Sequence, residues 1–335
     1  MDDRLQLLRA WLDDCLDGPI GEIRVASSDA SFRRYCRVHV GRRSYIAMDA
    51  PPTHYDVRNY MRIGARFRQI GLNVPQVLHS NPEQGFLLLT DLGEVLYLPS
   101  LNEHTVERLY GDAMAALRLL QSASDGDGGF LPDYDRELLL AEMRLFRDWY
   151  LQRHLGLSPT HRQDAVLEDV FARLVERALA QPQVWVHRDY HSRNLLVTEE
   201  HNPGIVDFQD ALRGPVTYDL VSLLRDCYIA WPRERVEQWV TDYHAAARLA
   251  GIPAGKTPSE FLTWFDWMGV QRQLKAVGIF ARLLHRDGKE GYVADIPRTL
   301  GYTLEVSARY QELQPLHRLL REFKLSSHAA EARAP

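Results

Sequence analysis

Three oxygen-bearing side chains occur at a spacing that could carry out chemistry: Asp189, Asn194 and Asp207. The first two belong to a His-x-Asp-x-x-x-x-Asn pattern that begins at His187, and Asp207 follows Asn194 by thirteen residues. In phosphoryl transfer of the kinase type, one aspartate accepts or orients the proton of the acceptor hydroxyl, while an asparagine and a second aspartate hold magnesium on the phosphates. The pattern therefore predicts Asp189 as the catalytic residue and Asn194 and Asp207 as magnesium ligands.

Short apolar runs precede or follow each of these side chains. Residues 184–186 and 195–197 are apolar and predict two short buried strands, and the apolar pair Ile205 and Val206 comes directly before Asp207. Two ordinary polar loops after core strands are the alternative interpretation, which would suffice for a lone His-x-Asp pair. Because Asn194 and Asp207 both fall at the kinase spacing, the functional interpretation is favoured.

Three runs around these residues carry a resemblance to a known family. They are His-Arg-Asp-Tyr-His-Ser-Arg-Asn (187–194), Ile-Val-Asp-Phe-Gln-Asp-Ala (205–211) and Gly-Pro-Val-Thr-Tyr-Asp-Leu (214–220). Together they resemble the aminoglycoside phosphotransferase and choline kinase superfamily. Residues 185–228 and the run Leu-Lys-Ala-Val-Gly-Ile-Phe-Ala-Arg (274–282) are similar to bacterial anomeric kinases for N-acetylmuramate and N-acetylglucosamine, which return recycled cell-wall sugars towards UDP-N-acetylmuramate.

The resemblance implies a fold and a set of ligands. We expect an α+β, protein-kinase-like fold of two lobes: an N-lobe with an antiparallel sheet and a helix over residues 1–93, and a mainly helical C-lobe over 94–325. Residues 326–335 are expected to form a flexible tail. ATP is the expected co-substrate and Mg²⁺ the expected cofactor.

Composition excludes several other classes of protein. A net charge of -5 without a long basic run argues against a nucleic-acid partner. The three cysteines are far apart and odd in number, which predicts neither a disulfide framework nor a zinc site and is consistent with a reducing cytoplasm. The start of the chain lacks the pattern of a signal peptide, and no apolar run is long enough to cross a membrane. We therefore expect a cytoplasmic globular protein, and a monomer.

The first ninety residues predict a helix and a sheet that would cover a nucleotide. Leucines at helical spacing predict a helix over residues 2–17, and strand patterns follow at 22–26, 32–40 and 44–48. The loop between the first two strands holds three serines, where kinases use glycines to cover the phosphates; an ordinary hairpin loop is the alternative. The predicted phosphate contacts in this loop are Ser27, Ser28 and Ser31.

The lysine and glutamate that kinases use to grip the phosphates are missing. Met48 stands about where the third strand would carry the lysine, the first lysine in the chain is Lys256, and the predicted helix over residues 55–70 contains no glutamate. Loss of both partners together is physically coherent, because an unpaired buried charge is costly. Arg33 and Arg34 are the nearest candidates to meet the phosphate charge, and a solvated strand face is the alternative for both.

The buried strand pattern over residues 85–93 resembles the hinge in which kinase backbone groups bind adenine. The predicted adenine contacts are Thr90, Asp91 and Leu92, and a plain strand end is the alternative. Further along, helical patterns begin at residue 105 and cover 137–155, 160–180, 217–229, 233–250, 259–285 and 298–322.

The acceptor is expected to be a small molecule. Only about a dozen residues separate Asp207 from the Tyr-Asp-Leu run at 218–220, so no peptide-docking activation segment can fit there. Asp219 in that run looks like the superfamily's structural aspartate, which supports the catalytic loop by hydrogen bonds, and it could also cap a helix that begins at Leu220. The candidate acceptor contacts are His191, Arg193, Asp210, Arg213 and Arg147, with Trp231 as a possible aromatic face.

Two classes of function remain. The first is an ATP-dependent kinase that phosphorylates the anomeric (C1) hydroxyl of N-acetylmuramate and N-acetylglucosamine, or, as alternatives, another small acceptor such as an aminoglycoside, choline or a different sugar. The second is a catalytically dead nucleotide-binding module, which the missing lysine–glutamate pair supports. The presence of Asp189, Asn194 and Asp207 together opposes the second, because a dead site has no need of all three.

Overall fold

The computed structural model describes residues 3–27, 33–125 and 129–325, with only the backbone for Ser27 and Asp125. The first part of the chain contains α1 (Asp3–Cys15), β1 (Arg24–Ser27), β2 (Arg34–Val40), β3 (Arg43–Asp49), α2 (Val57–Gln69), β4 (Val77–Asn81), β5 (Phe86–Thr90) and the short helix α3 (Tyr97–Ser100). The remainder contains α4 (Val106–Ser122), α5 (Arg136–Leu145), a π-helix (Phe146–His154), α6 (His161–Leu179), β6 (Gln183–Val186), β7 (Leu195–Leu196), β8 (Gly204–Ile205), β9 (Leu212–Pro215), α7 (Tyr218–Leu224), α8 (Arg233–Leu249), α9 (Pro258–Asp287), α10 (Ile296–Arg309) and α11 (Gln314–Glu322). Short 3₁₀ turns occupy Ala123–Asp125, Glu290–Asp295 and Gln311–Leu313.

The chain divides into two compact units. The first comprises Met1–Ser100 with Asn194–Gln209, and the second comprises Leu101–Arg193 with Asp210–Pro335. The predicted lobes follow the chain without interruption, whereas the first unit also takes up the later segment Asn194–Gln209. The antiparallel sheet near the N-terminus and the largely helical remainder confirm the predicted α+β class.

The first unit is built on a five-stranded antiparallel sheet with the order β1-β2-β3-β5-β4. Helix α1 packs on it through Leu8 and Leu12, which recur at the predicted helical spacing and share a buried cluster with Val38, Ala47 and Phe86. The predicted strands agree with β1, β2 and β3 to within two or three residues at each end. The alternation of apolar and polar residues therefore predicts this sheet well.

Helix α2 packs a buried face that includes Tyr60, Ile63 and Phe67. It begins where the carboxylate of Asp56 accepts the backbone N–H of Arg58, which satisfies one of the amide groups left without an intrahelical partner at a helix start. The predicted helix over residues 55–70 is confirmed, with slightly tighter bounds.

Helix α9 runs through the second unit for thirty residues, most of them buried. It approaches the π-helix so closely that a Cβ atom at Gly278 would overlap the backbone of Leu145 and Phe146. The predicted helix over residues 137–155 is present as α5 and a π-helix that directly continues it, and the sequence pattern did not predict the change to π-helical turns. None of the helices in the described ranges is both long enough and apolar enough to span a membrane.

Two other predicted helices are shorter than the sequence pattern suggests. Helix α7 ends at Leu224, not at residue 229, because the Asp226 carboxylate accepts the backbone N–H of Tyr228 and turns the chain. The predicted helix over residues 298–322 is interrupted at Tyr310, whose backbone is extended. Pro315 follows close behind, and because its ring cannot continue the preceding helix it starts α11 as a new one.

Candidate active site

The backbone before Asp189 is held by one buried carboxylate. Asp219 is fully buried, and its two oxygens accept the backbone N–H groups of His187 at 2.6 Å and Arg188 at 2.9 Å. Arg188 has a φ of +77°, a conformation that a residue with a Cβ adopts only when the surrounding structure imposes it. Asp219 lies inside α7, which begins at Tyr218, so the predicted support of the catalytic loop is present and the alternative role as a helix cap is wrong.

A second buried carboxylate holds the other side of the same loop. Asp226 accepts the backbone N–H of Ser192 at 2.9 Å and its hydroxyl at 2.6 Å, in addition to the N–H of Tyr228 at 3.0 Å. Between these anchors the backbone N–H of His191 donates to the carbonyl oxygen of Asp189 at 3.0 Å. Asp189 thus lies in a loop of the second unit that is fixed at both ends by carboxylates.

A third carboxylate, Glu142, organises the cations near Asp189. It is 7% exposed. Its carboxylate forms ion pairs with Nη2 of Arg188 at 2.5 Å and Nζ of Lys275 at 3.0 Å, and it accepts a hydrogen bond from the hydroxyl of Tyr134. Burial opposes its ionisation, but Lys275 and Arg188 lower the pKa of Glu142 below its usual range. The result is a buried network in which two cations share one carboxylate.

The electrostatic environment keeps Asp189 ionised. Burial alone would raise its pKa, but Lys275, His191, Arg188 and Arg272 together lower the pKa of Asp189 to about 2. The ionised carboxylate accepts charge-assisted hydrogen bonds, but with so low a pKa it is a weak base. Asp189 is therefore suited to orient a hydroxyl group at neutral pH and to receive its proton only late in a reaction.

The metal-ligand candidates lie side by side in the first unit. Strands β7 and β8 form an antiparallel pair in which Leu195 faces Ile205, and the pairing continues as the N–H of Val206 donates to the carbonyl of Asn194 at 3.1 Å. This register places Asp207 one residue beyond the partner of Asn194. The prediction that Asn194 and Asp207 come together is thus supported by the strand pairing.

Asp207 itself is held in an unusual conformation. Its φ is +65°, and its carboxylate accepts the amide of Gln209 at 2.8 Å. Phe208 packs its ring against Tyr60 and Phe67, so the neighbouring residue anchors this turn in the core of the first unit. Strained backbone at a residue with a charged, partly exposed side chain is typical of functional sites.

Arg33 and Arg34, the two candidates for meeting the phosphate charge, have different partners. Arg33 lies over the ring of Tyr55, and its Nη2 is 3.3 Å from Oδ1 of Asp207. Arg34 instead donates from Nε to the fully buried carboxylate of Asp49 at 3.0 Å. Only Arg33 therefore lies beside a predicted metal ligand, while Arg34 takes part in a structural ion pair.

The other predicted nucleotide contacts are placed as follows. Ser28 and Ser31 lie outside the described residues, as does the side chain of Ser27. Thr90 ends β5, where its N–H donates to the carbonyl of Gln76 at 2.9 Å. Asp91 is bound by Arg37 at 2.6 Å, which together with the N–H of Gly93 lowers the pKa of Asp91 despite its burial, and Leu92 packs against Gly204. The side chains of Thr90 and Asp91 stabilise the turn. The predicted contacts with adenine would therefore be made by the backbone groups of residues 90–92.

Two acceptor candidates form an aromatic cluster in the second unit. The guanidinium of Arg193 lies 3.7 Å from the ring centroid of Tyr228, with Asp295 at 4.0 Å. The ring of His191 meets Tyr228 edge-on, and its Nδ1 is buried without a hydrogen-bond partner among the described residues. Burial is the main reason why the pKa of His191 is lowered, so this imidazole is neutral at neutral pH.

The remaining acceptor candidates lie elsewhere on the second unit. Arg213 is exposed and pairs with Asp133 at 2.9 Å, and Asp210 is exposed. Arg147 joins a surface network with Glu168 at 2.7 Å. Trp231 is half-buried and donates from its indole to the hydroxyl of Tyr110, an arrangement typical of a packed core.

Sequence reasoning missed Glu142, Arg272 and Lys275 as residues of this site. Arg272 and Lys275 lie one turn apart on α9 and are 5% and 7% exposed. A usable signal was present in the sequence: both are charged residues within an apolar helical stretch, where a charge must find a partner or a function. Glu142 carries no comparable signal, because glutamate on a helix is usually a solvated residue.

The chemistry of Asn194 and Asp207 fits magnesium. The described residues contain no group of three or more histidine, cysteine or acidic side chains that could form a metal cage. Magnesium does not need one, because it is typically bound by one or two protein oxygens together with substrate phosphates and water. One carboxylate and one amide on a paired-strand turn match that requirement.

Comparisons with known proteins agree with this arrangement. The model of the phosphotransferase enzyme family matches residues 22–257. The N-acetylmuramate/N-acetylglucosamine kinase of Pseudomonas aeruginosa is 44% identical, with 95% of this chain and 96% of that protein covered. The protein of the same name from Neisseria meningitidis is 44% identical over 94% of both chains.

Solved structures share the fold at much lower identity. The choline kinase LicA from Streptococcus pneumoniae has a TM-score of 0.64 at 10% identity, covering 92% of this chain and 100% of that chain. An ADP-bound aminoglycoside phosphotransferase has a TM-score of 0.57 at 16% identity, covering 90% of this chain and 98% of that chain. These likenesses confirm the predicted protein-kinase-like fold, and the family match and the relatives at 44% identity confirm the predicted superfamily.

Proposed function

Because this chain belongs to the phosphotransferase enzyme family, we propose that it is an ATP-dependent kinase that phosphorylates the anomeric hydroxyl of N-acetylmuramate and N-acetylglucosamine. The observation that carries the proposal is the near-complete coverage of relatives named for these two acceptors. The aromatic cluster and cations around Asp189 add support, because sugar sites commonly combine an aromatic face with charged hydrogen-bonding groups. The product, a sugar 1-phosphate, fits a step in the recycling of cell-wall sugars. We propose that the protein acts in the cytoplasm.

Asp189 is assigned to the acceptor hydroxyl. Because the pKa of its carboxyl is about 2, Asp189 is ionised at neutral pH. It therefore accepts a hydrogen bond from the acceptor hydroxyl and fixes the direction of attack. Because phosphoryl transfer proceeds mainly by positioning and neutralisation of charge, a weak base in this position is adequate. Asp219 and Asp226 maintain the position of this carboxylate by holding the backbone on either side of it.

Asn194 and Asp207 are assigned to magnesium, and Arg33 to the phosphates. The bound ion would neutralise phosphate charge and orient the transferred group. Arg33 is the basic residue adjacent to Asp207 in the first unit, where Met48 stands in place of a lysine. We propose that Arg33 pairs with Asp207 when no nucleotide is bound and donates to phosphate oxygens when it is.

An acceptor panel tests the proposed function. The purified protein is incubated with ATP and Mg²⁺ and with N-acetylmuramate, N-acetylglucosamine, their 1-O-methyl glycosides, an aminoglycoside and choline, while ADP release is followed. We expect turnover with the two unprotected amino sugars and none with the 1-O-methyl forms, and phosphorus NMR should locate the phosphate at C1.

Control proteins separate catalysis from contamination. Asp189→Asn should bind ATP normally but release ADP at least about a hundredfold more slowly, as expected on removal of a group that positions or accepts the reacting proton. Turnover of the 1-O-methyl glycosides would contradict the anomeric assignment. No turnover with any acceptor, together with normal ATP binding, would favour the dead nucleotide-binding module.

A further inference from the structure

Arg272 is a buried cation that forms no ion pair with a carboxylate in the described part of the chain. Its side chain on α9 is 5% exposed, its Nη1 donates to Sγ of Cys227 at 3.7 Å, and its Nε has no hydrogen-bond partner among the described residues. No carboxylate within the described part of the chain forms an ion pair with it. Other buried cations differ: Arg225 pairs with Asp266, and Lys275 pairs with Glu142.

An unpaired buried guanidinium is among the most costly groups that a folded protein can contain. Burial opposes its charge, but Cys227, Tyr218, Asp189 and Asp226 hold the pKa of Arg272 above its ordinary value, so it remains a cation. Asp226 already accepts three hydrogen bonds, two from Ser192 of the catalytic loop and one from the N–H of Tyr228. The guanidinium therefore keeps at least one donor, Nε, that no described residue satisfies and that a bound anion could use.

The position of Arg272 indicates which ligand this is. Cys227 directly follows Asp226, which holds Ser192, so the donors of Arg272 lie against the loop that carries Asp189. All these neighbours belong to the second unit, which also contains the residue assigned to the acceptor hydroxyl. An anion at this point should therefore come with the acceptor.

We propose that Arg272 binds the carboxylate of the lactyl group of N-acetylmuramate, an inference that rests on the acceptors proposed above. A guanidinium presents several donors in one plane and binds carboxylates through paired, charge-assisted hydrogen bonds. N-acetylglucosamine lacks the lactyl group. Arg272 thus determines the preference between two acceptors that otherwise present the same anomeric hydroxyl.

The two acceptors provide an internal comparison that tests the proposal. Arg272→Met and Arg272→Lys are assayed with both sugars at saturating ATP, and sugar binding is measured separately by calorimetry. For the Met variant we expect KM and Kd for N-acetylmuramate to rise by about 10- to 100-fold, the loss expected for a hydrogen-bonded charge pair. The KM and Kd for N-acetylglucosamine should stay within about twofold, and the Lys variant should recover part of the loss. Because Arg272 also lowers the pKa of Asp189, any change in kcat should be the same for both sugars.

Thermal unfolding separates this role from a structural one. Because Arg272 has no carboxylate partner to leave unpaired, Arg272→Met should keep or raise the melting temperature. The matched control is Arg225→Met, which removes a buried arginine that is paired with Asp266. The control should lower the melting temperature without changing the ratio of kcat/KM for the two sugars.

Each other outcome has a defined meaning. An equal rise in KM and Kd with both sugars would show that Arg272 does not recognise the lactyl carboxylate, and it would overturn the assignment. Unchanged kinetics and binding with both sugars would overturn it as well. If Arg272→Met does not fold, the Lys variant provides the test. Because an ammonium group cannot make paired hydrogen bonds with a carboxylate, Arg272→Lys should bind N-acetylmuramate more weakly than the unmodified protein does, with little change for N-acetylglucosamine. Turnover of neither sugar by the unmodified protein would refute the proposed function instead.

Discussion

Replacement of Asp219 by asparagine should separate activity from stability. In the native loop the Asp219 carboxylate offers one oxygen to each of two backbone N–H groups, those of His187 and Arg188. Asparagine has only one acceptor oxygen, and its amide group would face the other N–H donor. One of the two bonds is therefore lost, and the left-handed backbone of Arg188 loses part of what holds it.

The expected magnitudes follow from burial. Burial of Asp219 outweighs the effect of His187 and of the two N–H donors and raises the pKa of its carboxyl from 3.8 to about 6. That shift corresponds to about 3 kcal/mol of penalty on the charged form at neutral pH. Asparagine avoids this penalty but loses a hydrogen bond and leaves a buried N–H unpaired, which together cost about 3–5 kcal/mol. The net change in unfolding free energy at pH 7 should therefore be small, roughly 0–2 kcal/mol of destabilisation.

Activity should respond far more strongly than stability. A loop displacement of about 1 Å is enough to lower kcat by about a hundredfold, because Asp189 would no longer orient the acceptor hydroxyl. The assay compares kcat, the KM values for ATP and acceptor, and chemical denaturation of Asp219→Asn and the unmodified protein. Asp266→Asn serves as the matched control, since it alters another buried aspartate that pairs with Arg225 and Arg233 outside the catalytic loop. It should destabilise the protein while kcat per folded molecule changes little.

The pH dependence provides a second test of the same carboxylate. Its folded pKa is raised above the unfolded value, so its stabilising contribution is complete below about pH 4 and is lost as the pH rises through about 6. The unmodified protein should accordingly show a component of stability that falls across this window, and Asp219→Asn should lack it. Activity should fall below about pH 6, where protonation removes an acceptor from the loop. Full kcat in Asp219→Asn, or an identical pH dependence of stability in both proteins, would refute the reasoning.

Three further predictions concern other parts of the site. Asp189→Asn should lower kcat by about 10²- to 10⁴-fold while the Kd for ATP, measured by calorimetry, stays within about twofold. Arg33→Gln should raise the Kd for ATP by about tenfold or more. Arg34→Gln should mainly lower the unfolding free energy, by about 1–3 kcal/mol, because it removes a partner from the buried carboxylate of Asp49. Equal Kd values for ATP in the two variants would contradict these different roles. Gly64→Leu should destabilise by about 1–3 kcal/mol in denaturant titration, because a Cβ at Gly64 would lie 3.1 Å from the ring of Phe208, and an undiminished midpoint would contradict it.

Local sequence patterns predict most of the fold. Alternating and helical periodicities locate β1, β2, β3, α1, α2 and α9, because each element buries one face and exposes the other or is buried throughout. The patterns fail where a single side-chain contact ends an element. The Asp226 carboxylate stops α7 by accepting the N–H of Tyr228, and periodicity cannot reveal such a contact.

The site is predictable in part for the same reason. Asp189, Asn194 and Asp207 fall at fixed spacings because a short loop and a two-stranded hairpin connect them, and both are local structures. Glu142 and Lys275 come from distant helices. Glu142 lies 46 residues before its partner Arg188, and Lys275 lies 57 residues after Tyr218, to whose hydroxyl its Nζ donates at 3.0 Å. Their meeting depends on the packing of α5 and α9, which a local pattern does not encode.

These buried carboxylates also explain why the chain manages without an activation segment. In regulated protein kinases, phosphorylation of that segment supplies an anion that pairs with arginine and orders the active site. Here Glu142 gives Arg188 a permanent carboxylate partner, while Asp219 and Asp226 hold the backbone on either side of Asp189. All these contacts lie within one compact unit. The shape of the loop therefore needs no modification to form, which agrees with the short interval between Asp207 and α7 and with a small-molecule acceptor.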